Sequence, residues 1–213
     1  MNSINPYFTF NYTQPEEYRF SHDSVFLARK VFELFPGELE GFSALDLCAG
    51  CGIVGLDFLY HCKSAGKIMP ASFDFLEVQS IYHEYFKKNL LEFGSKLPLI
   101  NFLNQNYEIL KDESNQHRYD LIVSNPPYFR VNQGILSPSG FKNRCRFFID
   151  SDFKNLIEAI DNTLKPHGSA YILLRDLQNH GVNPLNEARK ILGGMRSISV
   201  VDNIRGTPLV LIK

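Results

Sequence analysis

The sequence predicts an α/β domain built on a largely parallel sheet. Three features carry that prediction. Short apolar, β-branched runs alternate with segments of helical periodicity, and a glycine-rich turn, Cys48 to Gly55, joins one such run to a helix. The last two runs are separated only by Arg205 and Gly206, a link that makes them an antiparallel hairpin. With 213 residues, 44% of them hydrophobic, the chain can bury one substantial core, and nothing marks a second domain. The expected division is an N-terminal arm and lid helix over residues 1–42, followed by a single α/β domain over 43–213.

Met1 to Pro15 is aromatic and polar without periodicity and reads as an arm lying on the surface. Ser21 or Asp23 can cap a helix with the apolar stripe Val25, Phe26, Ala28, Phe32 and Phe35, stopped by Pro36 and Gly37. Tyr18 to Asp23, YRFSHD, precedes it and reads either as a lid over a ligand or as ordinary capping.

Ser43 to Leu47 is the first strand, and CAGCGIVG (Cys48 to Gly55) is the turn into the next helix. Gly50 and Gly52 allow positive φ and let a ligand approach the backbone where a helix N-terminus offers N–H groups. The second strand, Ser72 to Leu76, ends in Glu77, an acidic side chain placed to accept both hydroxyls of a ribose; a dipole-favoured charge at a helix start is the plainer alternative. A helix over Val78 to Phe93 leads to the third strand, Leu97 to Leu103, which ends in the amides Asn104, Gln105 and Asn106, where an adenine edge can be read.

Tyr119 to Val123 is a buried strand ending at Ser124, and Asn125-Pro126-Pro127-Tyr128 forms a stiff tip beyond it. Asn125 is pushed toward extended geometry by the proline that follows, and the two prolines have fixed φ and no N–H. The tip therefore holds an amide, a free carbonyl and an aromatic ring at the carboxyl end of a buried strand, where open α/β sheets bind ligands. That set suits methylation of a planar nitrogen. If the Asn125 oxygen and the Pro126 carbonyl each accept one N–H, the delocalised lone pair turns toward an electrophile, while Tyr128, with Phe129, stacks the base.

Val131 to Arg146 is a long loop with a basic cluster at Lys142, Arg144 and Arg146, which together with Arg130 reads as a contact to substrate phosphates or as surface salt bridging. Ser151 caps a helix with Leu156, Ile157, Ile160 and Leu164 inside, closed by Pro166 and Gly168. Ser169 to Arg175 is the fifth strand, Asn183 and Pro184 start a last helix ended by Gly193, and the hairpin strands run from Ser197 to Ile204 and from Pro208 to Ile212.

Net charge is −1, and the two halves of the chain differ: residues 1–106 carry 8 basic and 12 acidic side chains, a balance of −4, which leaves +3 for the rest. That hints at an anionic partner on the C-terminal side, with a mixed solvated surface as the plainer explanation. The four cysteines lack framework spacing; Cys48 and Cys51 form a C-x-x-C without the second pair that a zinc site wants, so no metal is expected, and a redox pair is the lesser alternative to their place in the Gly-rich turn. With no basic-then-apolar leader and no run of membrane-spanning length, the expectation is a reduced, cytoplasmic protein with no membrane partner.

DLCAGCG (Asp46 to Gly52), FDFLE (Phe73 to Glu77) and SNPPYF (Ser124 to Phe129), in this order, resemble the Rossmann-like seven-stranded class I S-adenosylmethionine-dependent methyltransferases that act on planar nitrogens. With YRFSHDSVFLA (Tyr18 to Ala28) and the basic segment, the chain is similar to bacterial tRNA methyltransferases that modify adenine N6 beside the anticodon of valine tRNA. The resemblance implies strand order 3-2-1-4-5-7-6 with the seventh strand antiparallel. It assigns Cys48, Ala49, Gly50 and Gly52 to the methionine part of the cofactor, Glu77 to its ribose and Asn106 to its adenine. Phe20, Asp46 and Asn125 complete the cofactor set, and Asn125, Pro126, Pro127 and Tyr128 the catalytic tip. The family commonly has Gly where Cys48 stands and an acidic residue where Asn106 stands, so weaker cofactor binding is expected. Two other readings remain: a release-factor glutamine N5-methyltransferase, whose helical domain has no counterpart in the 42 residues before Ser43, and a non-catalytic S-adenosylmethionine-binding partner protein.

Overall fold

The computed structural model describes residues 9, 11–19, 22–35, 38–175 and 183–213. Its strands are β1 (Ser43–Leu47), β2 (Ser72–Leu76), β3 (Leu99–Leu103), β4 (Tyr119–Ser124), β5 (Leu164–Leu173), β6 (Ile198–Ile204) and β7 (Thr207–Ile212). They form one sheet in the order β3-β2-β1-β4-β5-β7-β6, as the resemblance implied. Neighbours among β1–β5 pair in parallel, and β7 runs antiparallel to both β5 and β6. The helices are α1 (His22–Leu34), α2 (Ile53–Ser64), α3 (Tyr82–Phe93), α4 (Gly140–Arg146), α5 (Phe153–Thr163) and α6 (Pro184–Leu192).

Central strands covered on both faces explain the near-continuous apolar runs, and successive residues serve opposite sides. Ala44, Leu121 and Val123 join a core with Phe58, Phe73 and Phe86 beneath α1, α2 and α3. Leu45, Ile122 and Ile172 join the other core, with Leu156 and Ile160 of α5. After β3 the chain returns to the centre and lays β4 beside β1. The crevice outside the carboxyl ends of β1 and β4 is the switch point of such a sheet.

Several boundaries differ from expectation, each for a local reason. Helix α3 starts at Tyr82 rather than Val78, because the Glu77 carboxylate takes the Gln79 N–H at 2.9 Å and turns the chain first. The strand β3 begins at Leu99, after Pro98, which has no N–H to donate. Asp152, not Ser151, caps α5, accepting from the Asn155 N–H at 2.8 Å. Leu164, Pro166 and Gly168 lie inside β5, whose register against β4 breaks between Tyr119 and Leu121. The loop after Arg130 holds a short turn at Val131–Gln133 and then α4, capped by Ser139. Arg205 and Gly206 both adopt positive φ, at 50° and 88°, as a two-residue hairpin requires.

Thr9 and residues 11–15, the described part of the expected arm, are more firmly held than a surface arm. The Thr9 and Tyr12 hydroxyls both donate to the buried Asp57 carboxylate, Tyr12 at 2.7 Å. The Thr13 backbone exchanges two bonds with the Asn89 amide, at 2.6 and 3.0 Å. Asp23 lies within the first turn of α1 and contacts Arg205 at 3.4 Å, so it is not the cap; Ser21, Pro36 and Gly37 lie outside the described residues. Among the described residues no helix is long and apolar enough to cross a membrane.

Candidate active site

A cavity of about 440 Å³ opens at the carboxyl ends of the central strands. The β1–α2 turn forms its floor. Cys48, Gly50 and Gly52 take φ of 62°, 54° and 84°, so this turn has one non-glycine residue in the left-handed region. Ala49 donates to the Leu76 carbonyl at 3.0 Å, and Gly50 to the Glu77 carboxylate at 2.9 Å. Glu77 thus receives one backbone N–H on each oxygen, from Gly50 and from Gln79, and keeps a lone pair on each. Burial raises its pKa, and those two N–H groups oppose the rise.

The tip lines the same cavity. Ser124 ends β4 by donating to the Leu47 carbonyl at 2.7 Å, tying β4 to β1. Asn125 donates to Ser24 of α1 at 2.8 Å and accepts from the Tyr128 phenol at 2.5 Å. Among the described residues the Pro126 carbonyl accepts no hydrogen bond, and Pro126 and Pro127 both line the cavity. The backbone N–H groups of Tyr128 and Phe129 donate to the Arg146 carbonyl at 3.2 and 3.0 Å, and Phe148 donates to the Phe129 carbonyl at 2.8 Å. The end of α4 therefore clamps the tip.

Of the predicted cofactor residues, Cys48, Ala49, Gly50, Glu77 and Asn125 line the cavity. Gly52 does not; a Cβ there would lie 2.6 Å from the Phe86 ring, so its smallness serves helix packing. Asp46 lies beneath the turn, where Oδ2 accepts the Gly55 N–H at 2.8 Å and Oδ1 is buried without a hydrogen-bond partner among the described residues. Asn106 is turned away: it caps the following turn through the Glu108 N–H at 3.0 Å and donates to the Asp150 carbonyl at 2.7 Å. Its neighbour Gln105 lines the cavity instead. Phe20 lies outside the described residues.

The predicted phosphate contacts are partly occupied. Arg130 meets Glu187 at 2.5 and 2.6 Å, and Arg144 makes a forked pair with Asp150 at 2.6 to 3.0 Å. Among the described residues Lys142 and Arg146 make no such pair. The sequence reading missed Gln14, Ser24, Cys145 and Arg175 as cavity residues. Cys145 contacts the Gln79 amide at 3.4 Å and the Tyr82 phenol at 3.2 Å, and burial pushes its thiol up.

The family described as Conserved hypothetical protein 95 matches residues 10–137. The chain belongs to that family. A tRNA1(Val) (adenine(37)-N6)-methyltransferase of Bacteroides fragilis is 26% identical over 132 residues, covering 61% of this chain and 51% of the relative. The chain spans about half the length of the curated relatives it matches. Among solved structures, the ribosomal protein L11 methylase of Lactobacillus delbrueckii subsp. bulgaricus superposes with a TM-score of 0.55 at 16% identity, covering 90% of this chain and 78% of that one. SMU.776 complexed with SAH gives 0.60 at 10% identity, over 91% and 50%. These likenesses establish the fold, one shared with solved methyltransferase structures. Within the family's matched span lie the turn, Glu77 and the whole tip, whereas α4 and Arg175 lie beyond residue 137.

Proposed function

We propose that this chain transfers a methyl group from S-adenosylmethionine to the N6 amine of an adenine in RNA, with the anticodon-loop adenine of a valine tRNA as the particular target. One observation carries the reading: the Glu77-buttressed turn and the Asn125–Tyr128 tip face one cavity. The residues present fit the cofactor. Glu77 keeps one acceptor lone pair per oxygen for ribose hydroxyls, and a Cβ on Gly50 would meet nothing nearer than 3.8 Å, so the backbone there is open to close approach. Gln105 takes the adenine-edge role first given to Asn106. When bound, S-adenosylmethionine supplies an electrophilic methyl group. The chain supplies orientation: Asn125 Oδ1 and the Pro126 carbonyl accept the two N–H bonds of the target amine, and the Tyr128 ring holds the base. The proton becomes acidic only as the nitrogen becomes cationic, so no strong base is required.

The name of the Bacteroides relative supports adenine in tRNA as the substrate. Labelled methyl transfer to unmodified total tRNA, rRNA and release factor, followed by nucleoside and peptide analysis, tests it. N6-methyladenosine in tRNA alone is the expected result. Methyl on a release-factor glutamine overturns the substrate, and cofactor binding without transfer overturns the enzyme.

A further inference from the structure

Phe129 is flanked by two arginines that lack a carboxylate partner among the described residues. The Arg146 guanidinium lies 5.8 Å from its ring centroid and the Arg175 guanidinium 6.0 Å; Arg175 is also 5.8 Å from the Tyr128 ring. Both arginines line the cavity. The other charges of its wall are matched: Arg144 by Asp150, Asp23 by Arg205, and Glu77 by two backbone N–H groups. Two like charges beside one aromatic ring, with no carboxylate partner among the described residues, are stabilised by an incoming anion.

We propose that Arg146 and Arg175 grip the backbone phosphates flanking the base that Tyr128 and Phe129 stack, and that the RNA is held here rather than at Arg130 and Arg144. This rests on the nucleobase reading of the site and narrows it. A nucleotide carries a plane and an anion in one unit, which matches aromatic rings and guanidinium groups side by side; a glutamine side chain brings only the plane. Arginine suits both halves of the task, because its planar fork pairs with phosphate and also lies on rings.

Binding of unmodified tRNA by the full chain, followed against salt concentration, tests the assignment in R146Q, R175Q and the double variant. Each loss should weaken binding by about tenfold and lower the salt slope by about 0.7 to 1, while R146K and R175K keep the slope. Cofactor affinity, measured by calorimetry without RNA, should stay within about twofold, since the lost groups serve phosphate. An unchanged slope in the double variant overturns the proposal. So does lost cofactor affinity with the slope intact, which would place the anion on the cofactor's carboxylate. Failure of the nucleobase reading itself shows earlier, as a wild-type chain that neither binds tRNA nor methylates it.

Discussion

The Asn125 amide reaches across the cavity wall to Ser24 of α1, donating through Nδ2 at 2.8 Å, and so leaves Oδ1 as the group turned to Tyr128. An amide flipped end for end would present a donor where the mechanism needs an acceptor. Ser24 is buried, and α1 holds it in place. Ser24→Ala should therefore lower single-turnover methyl transfer about 5- to 10-fold, the scale of one neutral hydrogen bond, while Asn125→Ala lowers it by roughly 10²-fold or more. Cofactor affinity should hold in both, and a Ser24→Ala enzyme as fast as wild type removes this role.

Tyr128 offers a ring and a hydroxyl, and the two are separable. Its phenol is held protonated by burial and donates to Asn125 Oδ1, so in the free protein it takes one of the two lone pairs of the acceptor that the target amine uses. Tyr128→Phe frees that lone pair and keeps the stacking face; turnover should change by less than about threefold, the effect of one exchanged hydrogen bond. Tyr128→Ala removes the face and should raise KM for RNA about tenfold or more, given ~1–3 kcal/mol per stacked base. Equal effects from both substitutions would show that the hydroxyl, not the ring, carries the role.

What the sequence made legible was what chain stiffness enforces. Pro126 and Pro127 restrict the tip whatever surrounds it, and the two-residue link at Arg205 and Gly206 permits little but a hairpin. Partners distant in sequence were not legible. Ser24 lies 101 residues from the Asn125 it orients. Arg144 is claimed by Asp150 only because the chain turns back after α4. After β3 the sequence offered three consecutive amides, and a shift of one residue decides which faces the cavity; Asn106 is consumed as a cap by Glu108. A capping reading of Asn106 was available from its position before a short turn.

Cys48 holds φ at 62°, a left-handed conformation that costs a non-glycine residue roughly 1–2 kcal/mol. Glycine removes that cost and adds back about 0.5–1 kcal/mol of chain entropy. Cys48→Gly should therefore be stabilising by up to ~1 kcal/mol, a rise of about 2–4 °C in Tm. It also withdraws a side chain from the cavity wall, so cofactor binding should tighten. A lower Tm in a differential scanning experiment would mean that the packing of the half-buried thiol outweighs the backbone strain.

Asp46 makes stability depend on pH in an unusual direction for a carboxyl group. Burial pushes it up to about 8, the Glu77 charge adds to the rise, and the Gly55 N–H opposes it; the unfolded value is 3.8. Between those values the folded chain keeps a proton that the unfolded chain has released. The stability contributed by this group is therefore whole below about pH 4, falls as pH rises, and is lost above about pH 8. Asp46→Asn keeps the shape and the Gly55 contact but cannot titrate. Thermal melts should show wild type losing stability relative to the variant between about pH 4 and about pH 8, the gap moving about 2–4 °C for each ~1 kcal/mol. Curves that stay parallel across this range would mean that Asp46 is ionised in the folded protein, with Oδ1 solvated or paired rather than buried alone.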